Sequence, residues 1–253
     1  MVRLHVVVAL YAAALLSAPA FAQNTPAAKT GAQSNGPQDL SGVYILHQKA
    51  GFSLSNTPPM MTPWAQAKYN AAKPGIGKRA QALGNDPMMI CDPVGYPRVI
   101  FYNDYPSEIV QIPGRIIQFF DYFNAHRIIW TDGRQLESNP DPWFYGHAVG
   151  HWDGDTLVVD SNGFDERSWL DADGHPHSDQ MKLQERYRKT DPNTIEWSIT
   201  LTDPKAYTQP WVSETKTLVR ASAKTEIRED LCVTSDEQQY LDQMRAPAAT
   251  QNR

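Results

Sequence analysis

Beyond residue 98 apolar-rich runs are separated by turn-forming residues every six to twelve positions or so, the rhythm of an antiparallel β sandwich or barrel. Runs at 99–103, 108–112, 115–122 and 126–131 are parted by Tyr105-Pro106, Pro113-Gly114, Asn124-Ala125 and Asp132-Gly133, all of them turn formers. Two hairpins are predicted after them. One joins 146–152 to 155–161 through Asp153-Gly154, and the other joins 181–190 to 194–202 through Asp191-Pro192-Asn193. A last pair, 211–220 with 224–232, is expected to close the sheet, and 39–46, entered through Gly42, to open it. Only 63–83 carries a helical pattern: Pro63 suits a first turn, Pro74-Gly75 divides the segment, and a lid on the barrel end is the expected role. The pattern predicts an all-β protein, an antiparallel lipocalin-like barrel of about 8–10 strands enclosing a pocket, with a short helical segment near the N-terminus.

Composition adds the ends. Residues 1–22 read as a secretory signal, with Arg3, an apolar run from Val6 to Leu16, and Ala20-Phe21-Ala22 as a cleavage site. A periplasmic protein is the expectation. Residues 23–38 read as a disordered linker, 39–236 as one β-barrel domain, and 237–253 as a tail. The formal net charge of −5 offers no basic surface for nucleic acid, and no membrane association is expected after signal cleavage. Cys91 and Cys232, the two cysteines, read as one disulfide in an exported protein. A loop of that length would stabilise by about 4–5 kcal/mol in the chain-entropy model.

Chemistry concentrates between Asp141 and Asp179, which holds His147, His151, His175 and His177 among many Asp, Asn, Arg and Trp residues. If Asp153-Gly154 is a two-residue turn, His147 faces Asp160 and shares one strand face with Val149, His151, Thr156 and Val158. An Asp beside a His fixes the imidazole tautomer and raises its basicity. His147 and His151 would lie about 13 Å apart, too far to ligate one ion. His175-Pro176-His177-Ser178-Asp179 could supply metal ligands, or place one His as an acid oriented by Asp179. Candidate ligand contacts are Tyr122, Arg127, His151, Arg167, Trp169, Tyr207 and Trp211, with Tyr122 and Arg127 cross-strand neighbours if Asn124-Ala125 is the turn. Such a cage of rings and guanidinium groups suits a small aromatic ligand. Serine-hydrolase elbows, phosphate loops and dinucleotide fingerprints are absent from the sequence.

The segments GHAVGHWDGDTLVVD from Gly146, HPHSD from His175 and DPKAYT from Asp203 resemble a large, mostly uncharacterised family of exported bacterial β-barrel proteins. The resemblance runs from Asp39 to about Asp236 and departs at Ala148, where Ser is the commoner residue. It implies cofactor-independent lyases that open lignin-derived phenylcoumarans, with decarboxylation or loss of formaldehyde giving a stilbene. On that reading His147 with Asp160 is the base, His177 with Asp179 the acid, and Arg127 or Arg167 the carboxylate anchor. The expected partner is a small aromatic substrate, and a homodimer is allowed. Two other classes stay open: a non-catalytic lipocalin-like carrier of a small aromatic, and a metal-dependent hydrolase using His175, His177 and Asp179.

Overall fold

The computed structural model describes residues 38–240 and 242–243. The signal-like segment 1–22, nearly all of the linker and most of the tail lie outside the described residues. Ten strands form in chain order: β1 Gly42–His47, β2 Ser107–Ile112, β3 Arg115–Phe120, β4 Ala125–Trp130, β5 His147–Asp153, β6 Thr156–Asn162, β7 Lys182–Asp191, β8 Thr194–Thr202, β9 Trp211–Val212 and β10 Lys216–Arg220. Each of β1 to β8 pairs with its successor, and β10 bonds to both β8 and β1, which closes a barrel of nine strands. The short β9 pairs with β8 at Thr200 and Leu201, beyond the stretch from Thr194 to Trp197 that β10 occupies.

All neighbours in the barrel run antiparallel except β4 and β5. These two are parallel and pair over only Ile129↔Ala148 and Trp130↔Val149. The reason lies in the connection: residues 131–146 return along the outside of the barrel before β5 begins, and a parallel neighbour requires a long crossover of that kind.

Period-two alternation decides which residues enter the core. On β7, Leu183, Tyr187 and the charged Glu185 are buried, whereas Gln184, Arg186 and Arg188 are exposed. Tyr44, Tyr96, Phe101, Phe120, Tyr187, Trp197 and Leu201 are buried together in the core, where the sequence suggested a pocket.

Three expected elements are replaced. Residues 99–103 are not a strand: Arg98–Phe101 forms a 3-10 turn with all four residues buried, and an apolar run enclosed on every side carries no period that separates strand from helix. Residues 224–232 form no strand, because β10 already occupies both open edges of the barrel. They instead cross the outside, with Arg228 paired to the buried Asp121 and Cys232 bonded to Cys91. The first half of the helical pattern becomes α1, Pro63–Ala71, capped by the Thr62 side chain on Ala65 N, while the half beyond Pro74-Gly75 has no helix. A second helix, α2 Thr234–Tyr240, crosses the expected boundary between barrel and tail.

α1 is tied to the rest by Thr62 N donating to Ala206 O, and by Tyr69 stacking on His175 with centroids 4.6 Å apart.

Candidate active site

Where β4 and β5 stop pairing, the wall of the barrel leaves a groove of about 580 Å³ on its outside. It is lined by His126, Ile128 and Trp130 of β4, by Phe144 to Val149, and by Arg134, Trp143, Asp165 and Arg167 from the crossing loops. Concavities of a few hundred cubic ångströms lined by rings and a few polar groups are the usual form of a small-molecule site. Trp143 is largely exposed, and its ring lies 4.1 Å from that of His147.

His147 reaches the groove because β5 turns its odd-numbered residues outward, while Ala148 faces the core. Its Nε2 lies 2.8 Å from the carbonyl oxygen of Asp141. A carbonyl can only accept, so Nε2 carries a proton, and in the neutral ring Nδ1 keeps the lone pair. Among the described residues nothing bonds to Nδ1. A neutral imidazole held this way can take a proton.

The orienting group is therefore a backbone carbonyl, not Asp160. The hairpin turns at Gly154-Asp155, one residue later than expected, so Asp153 faces Thr156, Val149 faces Asp160 and His147 faces Asn162. Gly154 has φ +63° whereas Asp153 does not have a positive φ, which suits a turn with glycine in its first central position rather than the Asp-Gly type. Asp160 instead accepts from Gln184 Nε2 at 3.0 Å. The shared outward face survives, because the register error moves each pairing by two residues.

His177 and Asp179 do not form a pair either. His177 is 1% exposed, with Nε2 3.0 Å from Ser168 Oγ, and burial pushes its imidazole below the ordinary range. Asp179 is exposed and bonds Lys205 Nζ at 3.2 Å. His175 is turned to Asp171, His177 to Ser168 and Asp179 outward to Lys205, so the trio His175, His177 and Asp179 does not converge either. No group of three or more such ligands converges among the described residues.

The expected ligand contacts scatter. Arg167 lines the groove, held to Asp165 by bonds from Nε and Nη2, with its guanidinium 4.7 Å from the Phe144 ring. His151 is exposed on the outside of β5. Trp169 lines a second cavity of about 670 Å³ with Lys68, Asp86 and Glu166. Tyr122 sits in a cluster with Tyr102, Tyr105 and Phe123, far from being a neighbour of Arg127, since Arg127 faces Gln118 and the turn falls at Phe123 and Asn124, both of positive φ. Tyr207 donates to Pro176 O at 2.6 Å, and Trp211 lies 4.9 Å from His175.

Arg127 belongs to a network inside the barrel. Its Nη2 bonds both oxygens of Glu185 at 3.0 and 2.8 Å, its Nε bonds Gln118 Oε1 at 2.6 Å, and its plane stacks 3.6 Å from the Tyr96 ring. Glu185 also accepts from the hydroxyls of Tyr96 and Tyr187 and from Trp197 Nε1. A second buried constellation joins His175 Nδ1 to Asp171 Oδ2 at 2.7 Å, with Ser53 Oγ on the same carboxylate oxygen. Burial would raise the Asp171 carboxyl, but His175 and Ser53 outweigh it and hold it below the ordinary range. The sequence carried signals for both: a carboxylate at an inward position of β7, and Asp and His four residues apart in a loop rich in turn formers.

Neither a protein-family model, nor a curated protein, nor a solved structure matches this chain.

Proposed function

We propose that the outer groove binds a small aromatic molecule and that His147 is its general base, in a cofactor-independent lyase reaction on a phenylcoumaran-type aryl dimer. The observation that carries this reading is the His147 imidazole, its Nε2–H held by Asp141 O and its Nδ1 unoccupied, in a cavity walled by Trp130, Trp143 and Phe144. Aromatic walls suit two aryl rings. The base takes the phenolic proton, the ring expels the cyclic ether oxygen as an aryl oxide, and a quinone methide forms. The proton taken from the phenol is the one the departing aryl oxide requires. Cleavage of the bond to the side-chain carbon then supplies the electron pair of the new double bond and restores the aromatic ring as a phenoxide, with carbon dioxide leaving from a carboxylate, or formaldehyde from an alcohol whose hydroxyl proton passes to that phenoxide. Arg167, exposed at the rim, is the group available to a ligand carboxylate. The Cys91–Cys232 bond suits an exported protein, and a periplasmic location is part of the proposal.

The test mixes protein from Gln23 onward with a phenylcoumaran acid and its alcohol analogue, and follows near-ultraviolet absorbance for the stilbene. A rise that His147→Gln abolishes supports the reading. Tight binding seen by tryptophan quenching, with no stilbene, would make the groove the site of a carrier. Neither binding nor turnover would overturn the assignment of the groove.

A further inference from the structure

We propose that Arg127 is a ligand-binding residue, whose Nη1 donates to an uncharged carbonyl oxygen on an aromatic molecule reaching it between β4 and β5. The inference rests on the groove being a site for aromatic ligands and adds the polar contact that selects among them. Arg127 Nη1 is the one nitrogen among the buried side-chain atoms of the described residues that have no hydrogen-bond partner. A buried donor left unmet is destabilising, and more so on a charged group. Rotation cannot relieve it. Nε is held by Gln118, Nη2 by Glu185, and the plane of the guanidinium by the Tyr96 ring.

The position of Arg127 suggests what meets that donor. Arg127 is among the residues that line the groove, although its side chain is 1% exposed. The parallel pairing of β4 and β5 ends at Ile129↔Ala148, and continuing that register sets Arg127 beside Gly146, which has no side chain. No backbone hydrogen bond joins 125–128 to 144–147 among the described residues. The ring of Phe164 packs against Gly146 at this point, so the wall is closed there by a side chain and not by a backbone ladder, and a ligand reaches the donor by displacing that ring.

Charge decides the class of acceptor. Glu185 already neutralises Arg127 and receives every donor that Tyr96, Tyr187 and Trp197 offer it. A second carboxylate would meet Glu185 across the width of one guanidinium in a desolvated interior, where like charges repel strongly. A neutral oxygen meets no such repulsion.

Three probes that differ in one substituent test this on the whole protein: 4-methoxyacetophenone, 4-methoxybenzoate and 4-ethylanisole. Affinity is read by tryptophan fluorescence, and the side-chain nitrogens of Arg127 by NMR on arginine-labelled protein, which needs no mutant. The ketone is expected to bind about 10- to 100-fold more tightly than either of the others, the range of one hydrogen bond to a charged donor, and to shift the Arg127 signals. Arg127→Lys, where it folds, should remove the preference for the ketone over 4-ethylanisole, and the NMR reading on the unaltered protein decides the matter where it does not. Preferred binding of the benzoate, or equal binding of all three with Arg127 signals unmoved, overturns the inference and leaves the groove as an aromatic site. Binding of none of the three overturns both.

Discussion

The inside of the barrel and the groove on its outside hold the same kinds of side chain, arginine beside carboxylate beside aromatic ring, and they differ in what those side chains have left to give. Inside, Glu185 receives Arg127, Tyr96, Tyr187 and Trp197, and almost every polar atom is spent on another. In the groove Arg134 and Arg167 are tied to their neighbours Asp132 and Asp165, but both lie in water, and His147 keeps a free nitrogen. Buried networks must satisfy themselves or lose stability, whereas a half-exposed imidazole can stay unspent because water meets its needs until a ligand arrives. A good hydrogen-bond network is therefore poor grounds for a catalytic role, and an incomplete one at a cavity is better.

The contrast breaks most visibly at Glu185. Glu185→Leu leaves the Arg127 guanidinium buried and unpaired, and stability is expected to fall by about 3–5 kcal/mol, measured as a lower urea midpoint. A loss below about 1 kcal/mol would show that the inner network is not what holds the core. His147→Gln probes the other side: turnover is expected to drop about 10²–10⁴-fold while the thermal midpoint barely moves. Unchanged turnover removes the base.

Lys216 sharpens the comparison further, since its side chain packs on Phe101, and burial, partly offset by the Glu214 carboxylate, pulls its amine down to about 8. Between that value and the unfolded one of about 10.4 the unfolded chain holds the extra proton, so stability rises with pH across this window. Below it, charged Lys216 is a cost. Lys216→Met should stabilise the protein by about 1–3 kcal/mol at neutral pH, an advantage that fades above about pH 10. Chemical denaturation at the two pH values checks both halves of the statement. The smallest effect belongs to Asp160→Asn, which should change stability by less than about 0.5 kcal/mol and leave stilbene formation as it was. A large loss of turnover would return Asp160 to the site by a route other than contact with His147.

Strands were legible where one face meets the core and the other meets water, as in 182–191 and 194–202, because alternation records that asymmetry residue by residue. It failed at Arg98–Phe101, buried all round. Turns were legible in place but not in type, and type sets register: one residue of difference at Gly154 replaced Asp160 by Asn162 opposite His147. His147 was named from the sequence, yet its orienting partner, the carbonyl of Asp141, has no side-chain signature to read. The Arg127–Glu185 pair spans 58 residues and depends on the curl of the whole sheet, which no local pattern contains.

The junction between β4 and β5 also obeys a rule of counting. Around a closed ring, strands that alternate up and down can do so throughout only if their number is even. This ring has nine members, so one neighbouring pair had to run the same way, wherever it fell. No substitution of side chains can remove that mismatch. Adding or deleting a whole strand could, which makes the parallel junction beside Arg127 a property of the connectivity itself, and leaves sequence change free to alter only how far the two strands pair there.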